Sequence, residues 1–96
     1  MKYVKTQCPL CNRSAEYYFC DHNAWRYYNC SYCKRYFILD GEEEKLLHQP
    51  EKWKLELSES SHKNDNKEDI LVIKDGLRTP DSLDTEFVNR NLMPRC

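Results

Sequence analysis

Cys8-Pro9-Leu10-Cys11 and Cys30-Ser31-Tyr32-Cys33 are two C-x2-C pairs, separated by the eighteen residues between Cys11 and Cys30. That interval falls inside the 15 to 20 residues that join paired cysteines around one zinc ion. A two-residue gap lets a tight turn aim both sulfurs, and often intervening backbone N–H groups, at a single ion. Two such turns complete a tetrahedron with each sulfur about 2.3 Å from zinc. Four thiolates fill the coordination shell. The spacing therefore predicts one structural Zn2+ held by Cys8, Cys11, Cys30 and Cys33, with no open position for a substrate.

The residues around these pairs describe a small sheet. Ala15 to Cys20 and Ala24 to Asn29 are rich in Tyr, Phe and Trp and flank Asp21-His22-Asn23. They read as a hairpin closed by a three-residue loop in which Asn23 tolerates positive φ. Arg35 to Leu39 supplies the third strand, ending at Asp40-Gly41, and Tyr3 to Gln7 is a short edge strand. A three-stranded zinc ribbon over residues 1–40 is the expected result. A helical segment over 41–61 follows: Glu42 to Gln49 carries acids in its first turn, and Pro50 opens a second helix on which Trp53 and Leu57 share a face. Residues 62–69 read as an exposed linker. Residues 70–96 read as a small C-terminal appendage: a strand at Ile70-Leu71-Val72-Ile73, a tight turn at Asp75-Gly76, and a last helix capped by Thr79 and Pro80 with Leu83 and Phe87 aligned. The fold class is small α+β, the ribbon preceding one or two short helices and a β/α appendage.

Composition supports a stapled head. A chain of 96 residues buries only about 60 to 65% of its unfolded surface, and a head of about 40 residues rarely offsets its folding entropy without a metal or disulfides. Nine of the twelve aromatic residues lie between positions 17 and 37, whereas residues 58–69 contain no apolar side chain. The N-terminus lacks the apolar run of a secretory signal and no stretch approaches a membrane span, so a cytoplasmic location and no membrane partner are expected. In such a compartment paired cysteines bind metal more often than each other. Charge is uneven beneath the net value of -1. Residues 1–39 carry six cations against two acids, and residues 40–69 carry ten acids against five lysines.

Other readings of the cysteines are weaker. Redox-active C-x-x-C pairs stand at helix N-termini in a βαβ setting, and these pairs lie between strands. Iron would take the same four sulfurs. Cys20 and His22 are possible replacement ligands, but both sit at the hairpin end away from the paired turns, which leaves Cys20 as a buried or half-exposed thiol. Cys96 reads as an incidental exposed thiol.

A three-residue loop sets Phe19 opposite Trp25 and Tyr17 opposite Tyr27, with Tyr18 opposite Arg26 and Glu16 opposite Tyr28. One face then holds Tyr17, Phe19, Trp25 and Tyr27, packing on Trp53 and Leu57. The other presents Tyr18, Arg26 and Tyr28. With Arg13, Lys34 and Arg35 nearby, this second face has the rings that stack on bases and the cations that meet phosphates. Tyr and Arg equally dominate protein hot spots.

The run Cys-Pro-Leu-Cys, Tyr-Phe-Cys-Asp-His, Trp-Arg-Tyr-Tyr-Asn-Cys, Ser-Tyr-Cys and Tyr-Phe-Ile-Leu, followed by Glu-Glu-Glu-Lys, resembles the zinc-ribbon superfamily, and more particularly the ribbon ahead of the catalytic domain in some bacterial class I methyltransferases. The likeness covers residues 8–39 and implies the zinc-ligand role for Cys8, Cys11, Cys30 and Cys33. It implies no methyl transfer by this chain: two glycines in all, no glycine-rich strand-to-helix loop and too few residues for a cofactor-binding domain. The expected function is a non-enzymatic adaptor or regulatory module that binds a protein partner, with no small-molecule substrate. A nucleic-acid-binding regulator using Arg13, Tyr18, Arg26, Tyr28, Lys34 and Arg35 is the alternative, and an accessory subunit of an enzyme encoded elsewhere is a further one.

Overall fold

The computed structural model describes residues 3–20, 24–64, 68–76 and 83–93. Their backbone forms β1 (Val4–Gln7), β2 (Ser14–Cys20), β3 (Trp25–Cys30) and β4 (Lys34–Leu39), then α1 (Glu43–Leu47) and α2 (Glu51–His62), then β5 (Asp69–Asp75) and β6 (Leu83–Asn89), with a 3-10 turn at Arg90–Leu92. The strands form one six-stranded sheet in chain order. Every neighbouring pair is antiparallel except β4 and β5, which run parallel. The class is therefore α+β, and the head is four consecutive antiparallel strands rather than three.

The parallel pair follows from the helices. Antiparallel neighbours are joined by short turns, whereas a parallel neighbour needs a crossover long enough to return the chain to its starting end. Residues 40–68, including α1 and α2, make that return. Gly41 begins it at φ +90, a left-handed conformation open to glycine. The crossover covers one sheet face: buried Leu46, with Trp53 and Leu57 against it, packs on Tyr28, Tyr36, Ile38, Leu71 and Ile73. Cys20, Tyr27, Phe37, Ile70 and Val72 form the core of the other face, beneath Val88 and Met93.

Several expectations change. Cys20 pairs with Trp25, so four residues separate the strands rather than three, and Tyr17 pairs with Tyr28, Tyr18 with Tyr27, and Phe19 with Arg26. A one-residue slip exchanges the faces of a strand. Tyr28 and Arg26 thus join Tyr17 and Phe19 on the helix side, while Trp25 and Tyr27 join Tyr18 opposite. Residues 21–23 of that loop lie outside the described residues.

The run Ile70 to Ile73 is a strand, as expected, and lies inside the sheet. Its four side chains are at most 6% exposed because β4 and β6 flank it and both faces are covered, the setting in which a strand reads as an unbroken apolar run. Finally, residues 83–89 are a strand and not the last helix. Leu83 and Phe87 share a side in either geometry, four being even; pairing with β5 from Asp69↔Asn89 to Asp75↔Leu83 decides for the strand. That register makes the β5–β6 connection longer than a two-residue turn, and the expected caps Thr79 and Pro80 lie outside the described residues. The expected linker also narrows, since α2 runs to His62 with Ser61 only 4% exposed. Asn64 Nδ2 then donates to the Asp69 carbonyl at 3.0 Å.

Candidate metal centre

Each cysteine pair closes a turn between strands. Cys8 to Cys11 links β1 to β2, and Cys30 to Cys33 links β3 to β4. In the first, Asn12 N–H donates to the Cys8 carbonyl and Cys8 N–H to the Arg13 carbonyl, both at 2.8 Å. In the second, Tyr32 N–H reaches Cys30 Sγ at 3.4 Å. The residue after each second cysteine is left-handed: Asn12 has φ 63 and Lys34 has φ 69. Repeating that reversal folds both turns back, so that each aims its two sulfurs the same way.

The four sulfurs lie within 4.8 Å of one another. Cys8 and Cys33 are 3.8 Å apart, and Cys11 and Cys30 are 3.4 Å apart. A tetrahedron with arms of about 2.3 Å has edges of about 3.8 Å, so a metal ion fits this set with little adjustment. Disulfide formation does not draw the sulfurs together, since all four cysteines are free. Cys8, Cys30 and Cys33 are buried and Cys11 is half-buried.

Crowding makes Cys8, Cys11 and Cys33 electrostatically unequal. A hydrogen bond from Cys33, joined by the Tyr36 hydroxyl and opposed by burial, lowers Cys8 to about 5. Cys33, which gives that bond, is pushed well up, with burial adding to the effect. Burial raises Cys11 to about 11. Neighbouring sulfurs resist ionising together. A divalent cation at their centre would let all four act as thiolates.

Hydroxyl groups from elsewhere in the fold complete the surroundings. Tyr36 Oη, from β4, is 2.9 Å from Cys8 Sγ, and Ser58 Oγ, from α2, is 3.0 Å from Cys33 Sγ. One turn further on, Ser61 Oγ donates to the Cys33 carbonyl at 2.6 Å and His62 Nδ1 to the Tyr32 carbonyl at 2.8 Å. The His62 ring stacks on Tyr32 at 4.0 Å, Arg13 lies over the same Tyr32 ring at 4.0 Å, and the Tyr32 hydroxyl bonds Glu59. No local motif in the sequence marks Tyr36, Ser58, Ser61 or His62 as neighbours of the cysteines. The available signal was spacing: Ser58, Ser61 and His62 fall at i, i+3 and i+4, continuing the side of α2 that carries Trp53 and Leu57.

Cys20 lies outside this cluster. It is buried, as expected, at 3% exposed, but it is disulfide-bonded rather than a thiol.

The other residues singled out from sequence do not share one surface. Arg26 is on the helix side, with Nε 2.8 Å from Glu43 Oε1 and 3.3 Å from Asp40 Oδ1, and its guanidinium lies over Tyr17 and Phe19. Tyr28 beside it is 3% exposed, and burial pushes its hydroxyl up to about 12. Arg13 belongs to the first cysteine turn, and exposed Lys34 begins β4. Tyr18 and Arg35 are on the opposite side. There the ring of Tyr3, just before β1, meets Tyr18 of β2, and Tyr18 meets Tyr27 of β3, with centroids 4.9 and 5.1 Å apart.

No family model matches the chain, and neither a curated protein nor a solved structure matches it. The cysteine cluster therefore stands on its own geometry, as four sulfurs placed where they could hold one metal ion. Among the described residues no helix is long and apolar enough to cross a membrane.

Proposed function

We propose that Cys8, Cys11, Cys30 and Cys33 hold one structural zinc ion, and that the chain is a non-enzymatic zinc-ribbon module that docks on a protein partner. The observation that carries this reading is the convergence of four free sulfurs within 4.8 Å, three of them buried. With four sulfur donors the shell is complete, which suits a role in holding the fold rather than in activating water or a substrate. Zinc bound there would supply only positive charge and cross-linking. The chain's own residues supply the binding surface. Leu47 and Leu55 are 55% and 50% exposed on the helices, and the hollow around Leu55 is lined by Glu51, Lys52, Glu56 and Glu59, an apolar centre with a charged rim.

Metal analysis of the purified chain tests the first half: about one zinc per chain is expected, and a different metal or ratio overturns it. For the second half, partners retained by the wild-type chain should be lost from Leu55→Asp; identical retention by both would rule out this surface.

One observation favours a second reading, single-stranded nucleic acid at Tyr3 and Tyr18, whose ring centroids lie 4.9 Å apart on the side opposite the helices. Exposed Lys5 and Arg35 lie on the same side, where rings meet bases and cations meet phosphates. Binding that weakens with salt and with Tyr18→Ala supports it, and absence of binding at low salt removes it.

A further inference from the structure

Ser58 is a polar side chain 1% exposed, and its Oγ lies 3.0 Å from Cys33 Sγ. Tyr36 is fully buried, with its hydroxyl 2.9 Å from Cys8 Sγ. A sulfur bound to a cation is a thiolate and accepts hydrogen bonds without giving any, so both hydroxyls must then donate to sulfur. Four thiolates around a divalent ion leave two net negative charges in a largely buried site. Such charge is costly away from water unless fixed donors disperse it. Cys8 and Cys33 come from different turns, so the two hydroxyls serve both halves of the cluster. The same stretch of α2 is tied to the second turn's backbone by Ser61 and His62.

We propose that Ser58 and Tyr36 are positioning residues of the metal centre, and that metal binding and the seating of α2 on the second cysteine turn are one coupled event. This rests on the zinc reading above and goes beyond it by assigning a helix outside the cysteine turns to the site. With the ion bound, each hydroxyl has a single charged acceptor. Helix α2 then gains its seat at the moment the metal is bound.

The test uses the full chain carrying Trp25→Phe, so that Trp53 of α2 is its one tryptophan. Zn2+ is titrated against a chelator of known affinity while Trp53 emission is followed, and Co2+ is used to record the sulfur-to-metal charge-transfer band. Trp53 emission should change in step with metal uptake. Ser58→Ala and Tyr36→Phe should each weaken metal binding by about 10- to 100-fold, and should move the Co2+ band to lower energy because a sulfur without its donor gives up electrons more readily. Ser60→Ala, at an exposed position of the same helix, should change neither. Far-UV circular dichroism of the loaded variants checks that each has folded. Binding by Ser58→Ala as tight as by Ser60→Ala with an unmoved band, or Trp53 emission that stays constant while metal fills the site, overturns this inference alone. A wild-type chain that takes up no metal overturns the zinc reading with it.

Discussion

Lys34 holds a left-handed conformation at φ 69, one residue past Cys33, and Asn12 does the same at φ 63 past Cys11. The two positions differ in cost. Asn visits this region with little penalty because its short polar side chain bonds locally, whereas a lysine meets the ordinary clash of Cβ with the backbone, about 1–2 kcal/mol. Lys34→Gly should therefore stabilise the metal-loaded chain by about 0.5–1 kcal/mol after the flexibility of glycine in the unfolded chain is counted. Asn12→Gly should be near neutral. Denaturant midpoints at fixed free zinc measure the contrast, and equal effects at both sites would refute the argument. At this scale the four sulfurs were legible because spacing along the chain sets their geometry in each turn. Ser58 and Tyr36 were not: their partners are 25 and 28 residues away, and nothing local in the sequence records which sulfur a distant hydroxyl will meet.

Elements were legible where one pattern had one meaning. The run Ile70 to Ile73 announced a strand, and its lack of alternation is explained by burial on both faces. β6 was ambiguous because its apolar pair at i and i+4 suits a helix and a strand alike, and the β3 faces turned on one residue of loop length. The consequences are unequal. Ile73, fully buried between β4 and β6, should cost about 2–5 kcal/mol when cut to alanine. Phe87→Ala should cost far less, because its side chain is 44% exposed on the outermost strand. Thermal or urea unfolding of the two variants compares them, and similar losses would mean that β6 is more deeply packed than its exposure indicates.

The re-registered sheet also has an alkaline limit. Burial pushes the Tyr28 hydroxyl up to about 12 and raises Tyr18 and Tyr36 as well. A raised phenol is held neutral in the fold, while the unfolded chain ionises near pH 10 and so binds fewer protons above it. The contribution of Tyr28 to stability is then constant below about pH 10 and falls between 10 and 12, by up to about 1.4 kcal/mol per pH unit; Tyr18 and Tyr36 act in the same direction. Tyr28→Phe should flatten part of that fall; an unchanged slope would show that Tyr28 is not among the groups responsible.

For the whole molecule, the decisive feature is that the cysteine-rich head and the C-terminal strands belong to one sheet. β4 begins one residue after Cys33 and pairs through Tyr36↔Leu71, Phe37↔Val72 and Ile38↔Ile73 with β5. The sequence divides these parts with an apolar-free stretch at residues 58–69, which looked like a boundary. In the fold its first half is the end of α2, seated on the second cysteine turn. Polar composition there reflects a polar surface beneath the helix as well as solvent above it, and sequence alone does not tell these apart. Removing the metal should therefore not melt the head and spare the rest. Loss of the ion frees the turn that starts β4, unseats α2 and exposes the side of β5 that α1 and α2 cover. Hydrogen exchange before and after chelation measures this directly: amides of β5 should lose protection together with those of β2 to β4, in one cooperative step. If β5 and β6 kept their protection while the head exchanged freely, the sheet would be two independently stable halves, and the metal would organise only the first.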